Sequence, residues 1–252
     1  MTCTDIYYSG KDNFAADRAL GDAILAEIPS SRFAARANRA FLGRAVRYLA
    51  GEAGIRQFLD IGTGIPTAGN THEVAQEVAP DSRVVYVDND PIVLAHARAL
   101  MTSHPAGVTA FIQADLREPD KILADPALRG TLDLNEPVAL MLIAILHFCT
   151  DEENPRGLVQ ALLDALPSGS YLAVSHLTAD FIAPEQAARA SAAGQQVGIK
   201  YVPRTQAGVA ALFAGLDLVD PVVVPMLAWR PDDGAPADPR AAAAYAAVGR
   251  KP

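Results

Sequence analysis

Apolar residues recur every three or four positions through the first fifty residues. Leu20, Ile24 and Ile28 form one stripe. Phe33, Ala37 and Phe41, joined by Leu42, Ala45 and Leu49, form another. That spacing places each set on one face of an amphipathic helix. The turn Ile28-Pro29-Ser30-Ser31 separates the two, with Ser30 or Ser31 as N-cap. From residue 57 the period changes. Short apolar runs at 58–61, 84–87, 108–112, 138–146 and 171–175 predict five strands, and helices are predicted at 71–79, 91–103 and 154–165. This β-α-β order predicts a parallel sheet covered on both faces. Helices are expected at 184–193 and 205–214, the second stopped by Gly215. Runs at 216–219, 222–224 and 227–229 read as closely spaced strands, the last pair antiparallel. Residues 232–239 read as a linker and 241–248 as a short terminal helix. The expected organisation is a helical cap over 1–54, an α/β core over 55–231, and a linker with a short helix over 232–252.

In an open α/β sheet, ligands bind beyond the carboxyl ends of the strands, where strand order reverses. Polar residues stand at four successive strand ends: Asp60-Ile61-Gly62-Thr63-Gly64, Asp88-Asn89-Asp90, Gln113-Ala114-Asp115-Leu116 and His147-Phe148. Gly62 and Gly64 allow a tight turn and close backbone approach to a ligand. The helix that follows offers free N–H groups to an anion. Asp88 can accept both hydroxyls of a ribose. Asp115 can accept from an adenine amino group, with Leu116 and Ile65 as apolar walls. Each feature also has a plain structural reading. Glycines close turns, and Asp88 before Pro91 or Asp115 before Pro119 would serve as caps. All three at this spacing favour a nucleotide-like ligand. The dinucleotide fingerprint lacks its third glycine, because Thr67 stands there, and the Walker pattern is absent.

The segments FLDIGTG (58–64), VDND (87–90), QADL (113–116), ILHF (145–148) and LPSGSYLAVS (166–175) resemble the successive motifs of class I S-adenosylmethionine (SAM)-dependent methyltransferases. More narrowly, GKDNFAADRAL, ARANRAFLGRAVRYLA, FLDIGTGIPTAGNTHEVAQ and VVYVDNDPIVLAHAR are similar to the bacterial "S-adenosyl methyltransferase" family, formerly catalogued as a domain of unknown function. The resemblance spans 7–231. It implies a Rossmann-like fold with a seven-stranded, mostly parallel sheet, one antiparallel strand, helices on both faces and an N-terminal helical cap. It implies SAM as cofactor and S-adenosylhomocysteine (SAH) as product. Gly62, Thr63 and Gly64 would line the methionine end, Asp88 the ribose, Asn89 the adenine side, and Asp115 and Leu116 the adenine edge and face. His147 would lie near the transferred methyl.

His147 is also the first candidate for a proton acceptor, since an amine or hydroxyl acceptor must lose a proton and histidine titrates near neutrality. His176 is the second candidate. Tyr8, Lys11 and Asn13 form a polar and aromatic cluster in the cap. Arg32, Arg36 and Arg39 share a helix face. Arg36 or Arg39 could reach a carboxylate, and the plain alternative is a solvated face. The histidines form no spaced metal set, and Cys3 and Cys149 form no redox motif. A formal net charge of −8 counts against a nucleic-acid partner and leaves a small molecule as the expected acceptor. The longest apolar run, 137–146, is about half the roughly 20 residues a membrane span needs. The opening MTCTDIYYSGKDNF lacks the form of a signal peptide, which predicts a cytoplasmic protein. The expected function is methyl transfer by in-line displacement. The alternatives are a non-catalytic SAM/SAH-binding sensor and an NAD-dependent oxidoreductase. The sequence leaves the oligomeric state open.

Overall fold

The computed structural model describes residues 31–196, 200–232, 234 and 237–252. The predicted first helix, Cys3 and the cap candidates Tyr8, Lys11 and Asn13 lie outside the described residues.

Helix α1 (Ser31–Arg47) runs into a single π turn, Tyr48–Glu52. The alternating segments then begin: β1 (Gln57–Ile61), α2 (Thr71–Val78), β2 (Arg83–Asp88), α3 (Pro91–Leu100) and β3 (Val108–Gln113). Short helices α4 (Pro119–Ala124) and α5 (Pro126–Thr131) lead to β4 (Ala139–Ile143), a 3-10 turn at Leu146–Phe148, α6 (Pro155–Asp164) and β5 (Tyr171–Leu177). The chain continues through α7 (Pro184–Gln196), α8 (Gln206–Ala210), two two-residue strands β6 (Asp217–Leu218) and β7 (Val224–Pro225), and β8 (Ala244–Arg250).

The sheet order is β3-β2-β1-β4-β5-β8-β6, with β7 also on β8. Strands β1 to β5 pair in parallel, and β8 runs antiparallel to β5. Strands β6 and β7 pair with opposite ends of β8, so together they occupy one split seventh position. The mostly parallel sheet with one reversed strand is thus present. Its reversed member, however, is a segment expected to be helical.

Residues 241–248 read as a helix because alanine has the highest helix propensity, a weak prior that tertiary pairing overrides. Here the alanines alternate between the two layers. Ala244, Ala246 and Val248 pack on one face of the sheet, and Tyr245 and Ala247 on the other. Small side chains suit a strand buried on both sides. Gly249 continues this logic, since a Cβ there would sit 2.8 Å from the Phe213 ring. The run at 227–229 is likewise not a strand. Met226–Ala228 forms a 3-10 turn that delivers Trp229 into the core, edge-on to Phe41 (5.4 Å) and Tyr48 (6.0 Å).

Period-two alternation splits the parallel strands between the same two layers. Leu59, Val85, Leu140 and Leu172 meet α4, α5, α6 and α8 on one face. Phe58, Val84, Met141 and Ala173 meet α1 and α2 on the other. Buried Arg44 of α1 ties this second layer together by donating to Trp229 O (2.8 Å) and Met226 O (3.0 Å). Consecutive strands run outward from β1 to β3 and then cross back to β4. The order therefore reverses between β1 and β4, and a cleft is expected at their carboxyl ends.

Candidate functional site

A small open cleft lies at that point, lined by residues from the ends of four strands. Strand β1 contributes Ile61 and Gly62. Strand β2 contributes Val87, Asp88 and Asn89. The β3 end contributes Ala114 through Arg117, and the β4 end contributes Ile145, Phe148 and Cys149. Five of the residues predicted from sequence are therefore brought together: Gly62, Asp88, Asn89, Asp115 and Leu116.

The strand ends continue the parallel ladder before turning away. Gly62 N–H donates to Val87 O (2.8 Å), and Ala114 N–H to Asp88 O (3.1 Å). Gly62 has φ +81°, and a Cβ there would lie 2.7 Å from the Ile145 side chain. Only glycine meets both demands. Gly64, at φ +66°, turns its N–H onto Asp88 Oδ2 (3.0 Å), and Asp90 N–H donates to Asp88 Oδ1 (2.9 Å). Thr63 Oγ1 donates back to Asp60 O and Val87 O, both at 3.4 Å. The loop ends at α2, where Glu73 accepts from the amides of Gly69 (2.7 Å) and Asn70 (3.1 Å), which is the return half of a capping box.

Asp88 is free of capping duty. Asp90 caps α3 by accepting from Ile92 N–H (2.9 Å). Burial pushes the Asp88 carboxyl up, against the hydrogen bonds from Asp90 and Gly64. Each Asp88 oxygen holds one backbone donor and keeps further acceptor capacity, and Asp88 lines the cleft. Asp115 is more heavily engaged. Its Oδ1 accepts from Arg117 N–H (2.9 Å) and its Oδ2 from Asn89 Nδ2 (2.8 Å). Burial acts to raise this carboxyl. Those hydrogen bonds and the Arg117 charge outweigh burial and hold it below its ordinary value. Leu116 is buried against the apolar walls, which are Ile61, Val87 and Ile145; Ile65 is buried in the core away from the cleft lining.

Asp60, beneath the glycine loop, is buried and accepts from Thr71 Oγ1 (2.6 Å). Burial pushes its carboxyl up to about 6, countered by Thr71 and by the charge of Arg39. Arg39 also donates to Gly69 O (3.4 Å) at the far end of the loop, whereas Arg36 is exposed.

His147 stands apart from this cluster. Its ring is 4% exposed and is not among the cleft-lining groups. It packs beside Phe148 (4.5 Å between centroids), His176 (5.6 Å) and Tyr201 (6.0 Å). Burial, with His176 and Arg204 nearby, holds its pKa well below the ordinary histidine value. His176 is buried too and is pushed down to about 4, chiefly by burial. Both rings are neutral around pH 7.

Sequence reasoning did not single out Arg117, Glu153 or Arg204. Arg117 joins Asp115 to Glu153 Oε1 (2.5 Å) and to Phe148 O (2.9 Å) across the open side of the cleft. The question of what neutralises Asp115 would have pointed to it, since it follows Leu116 directly. Glu153 has a local partner, the Thr150 amide (2.7 Å), but neither its pairing with Arg117 nor the long-range contacts of Arg204 leave a local signal. Among the described residues no group of side chains is placed to hold a metal, and no helix is long and apolar enough to cross a membrane.

The cleft sets a carboxylate with spare acceptor sites beside apolar walls and a polar rim. Comparisons with known proteins identify the family. A protein of the DUF574 family from Streptomyces avermitilis is 49% identical, over 100% of this chain and 96% of that one, with a TM-score of 0.95. A provisionally assigned methyltransferase from Thermobifida fusca is 42% identical over 99% and 93%, with a TM-score of 0.90. Human N-acetylserotonin methyltransferase, solved with SAM, shares the fold at 18% identity, over 93% of this chain and 57% of that one, with a TM-score of 0.53. No protein with a curated description matches. The family model described as S-adenosyl methyltransferase matches residues 3–252. The chain belongs to the S-adenosyl methyltransferase family and is a SAM-dependent methyltransferase by membership and fold.

Proposed function

We propose that the cleft between the ends of β1 to β4 holds SAM and that the enzyme moves its methyl group to a small-molecule acceptor. One observation carries this reading: Asp88, at the end of β2, is fixed by the amides of Gly64 and Asp90 and lines the cleft. In this reading Asp88 receives the ribose hydroxyls. Asn89, Asp115 and Leu116 frame the adenine, with Phe148 and Cys149 as the opposite wall. The loop at Gly62, Thr63 and Gly64 takes the methionine end, where Asp60 and Arg39 supply one charge of each sign. The bound cofactor supplies an electron-poor methyl on a sulfonium. The chain's own work is to align that methyl with an incoming lone pair and to keep water out.

His147 then acts through packing. A buried ring with so low a pKa is a weak proton acceptor, and it backs the Phe148 wall from the side away from the cleft. A small-molecule acceptor is favoured by the modest cleft and by the net charge of −8.

Isothermal titration with SAM, SAH and NAD tests the reading. Binding of both sulfur cofactors and not of NAD is expected. Binding of NAD alone, or of none of the three, would overturn it.

A further inference from the structure

Beyond β4, four consecutive carbonyls are each held by a donor from another segment. Leu146 O accepts from Arg204 Nη1 (3.2 Å), and His147 O from the Val202 amide (2.8 Å). Phe148 O accepts from Arg117 Nη2 (2.9 Å), and Cys149 O from Arg204 Nη2 (3.1 Å). A stretch following a strand commonly spends its carbonyls on solvent and moves. This one is pinned from both sides, and Arg204 supplies two of the four bonds.

The Arg204 side chain is only 10% exposed, although its ion-pair partner Asp151 (Nη2 to Oδ1, 2.8 Å) is 82% exposed. The guanidinium is therefore placed for the carbonyls more than for the surface charge. It reaches a third element as well, since Nη1 lies 3.0 Å from His176 Nε2. A guanidinium has donors and no acceptor. His176 Nε2 must accept, which puts the ring proton on Nδ1, where it donates to Leu177 O (2.8 Å). One planar fork thus joins the end of β4 to the end of β5. Lysine, with a single nitrogen, cannot reproduce that span. What the fork fixes is the Phe148–Cys149 wall of the cleft, backed by Tyr201, whose ring centroid lies 5.3 Å from that of Phe148.

We propose that Arg204 is a positioning residue for cofactor binding: it holds the carbonyls of Leu146 and Cys149 and so sets the wall against which the adenosyl group packs. It touches no cofactor atom itself. The inference rests on the cleft being the SAM site.

The test compares wild type, Arg204→Lys, Arg204→Gln and Asp151→Asn. Two quantities are read: the SAH dissociation constant by titration, and the alkylation rate of buried Cys149 in the native apo protein. Peptide mass spectrometry separates Cys149 from Cys3. Both Arg204 variants are expected to bind SAH about tenfold more weakly or worse and to expose Cys149 to faster labelling. Asp151→Asn, which removes only the exposed ion pair, is expected to match wild type in both. Wild-type affinity in the Arg204 variants would overturn the proposal. So would weaker binding with unchanged Cys149 labelling, since the wall would not be the route. Loss of folding in both variants would also overturn it, by making Arg204 a determinant of the whole sheet. Failure of wild type to bind SAH would instead sink the cofactor reading, and the labelling rates would still judge the wall.

Discussion

The two sides of the sheet's carboxyl edge handle ionisable groups in opposite ways. At the ends of β1 to β3, carboxylates face a cleft and are fixed by amides, with Asp88 and Asp115 each receiving two or more donors. At the ends of β4 and β5, His147 and His176 are buried and neutral, and the buried guanidinium of Arg204 is spent largely on backbone carbonyls. The first side presents charge to a ligand. The second withholds charge and presents shape. Arg117 spans the two, since its guanidinium pairs with Asp115 of the first side and donates to the Phe148 carbonyl of the second.

The largest expected effect breaks the carboxylate side. A cofactor at about 100 times its dissociation constant adds roughly 2.7 kcal/mol to a fold that alone binds it. For a domain of this size that raises the melting temperature by about 5–10 °C. In Asp88→Ala the rise with SAM or SAH is expected to vanish while the unliganded protein stays folded. A full rise in the variant would remove Asp88 from the site.

The seam between the sides comes next. Gly62→Ala places a Cβ against Ile145 at a backbone angle that L-residues avoid. A cost of about 1–3 kcal/mol is expected, read as a lower urea midpoint together with weaker SAH binding. An unchanged midpoint would mean that the loop relaxes freely and that the two halves are not in tight register.

Acid separates Asp60 from His176 by sign. Asp60, raised to about 6, binds more protons folded than unfolded between about pH 4 and 6. Its contribution to stability is therefore present below that window and is lost as pH rises through about 6. His176, lowered to about 4, does the reverse. The unfolded chain binds more protons between about pH 6.5 and 4, so stability is lost as pH falls through that window. Asp60→Asn should steepen the loss of stability on acidification from pH 7 to 4. His176→Gln, whose amide oxygen can still accept from Arg204, should flatten it. Urea midpoints across that range would show the same slope in both variants if the two regions were electrostatically alike.

The smallest effect concerns the rim. Asn89→Ala frees one oxygen of Asp115 and leaves the bonds from Arg117. A loss of SAH affinity of only a few fold is expected. A hundredfold loss by titration would make Asn89 a direct ligand instead.

The carboxylate side was legible in the sequence because its signals are local. A short apolar run, a glycine turn and a carboxylate at a strand end are contiguous, so Gly62, Asp88, Asp115 and Leu116 could be placed from pattern, and Asn89 from the family resemblance. The histidine side was not. His147 occupies a strand end in sequence but turns into the core, because the 3-10 turn at Leu146–Phe148 rotates successive side chains to different sides. Arg204 meets the Leu146 and Cys149 carbonyls across more than 50 residues. The helix expected over 241–248 is a strand for a related reason: propensity is a property of the segment, while strand pairing is a property of its neighbours.

That last strand bears on how the chain comes to be folded. Strand β8 covers the whole edge of β5, from Tyr171 opposite Arg250 to Leu177 opposite Ala244, and β6 and β7 attach only to β8. During synthesis, β1 to β5 can associate as soon as residue 177 has emerged, but their outer edge then displays a row of unpaired amides and carbonyls until residues 244–250 arrive. Such an edge is a template for other chains, and domains fold as they are made. The nascent protein therefore passes through a window of about 70 residues, several seconds at roughly 5–20 residues per second, in which the cleft can be assembled while the β5 edge remains open to intermolecular pairing.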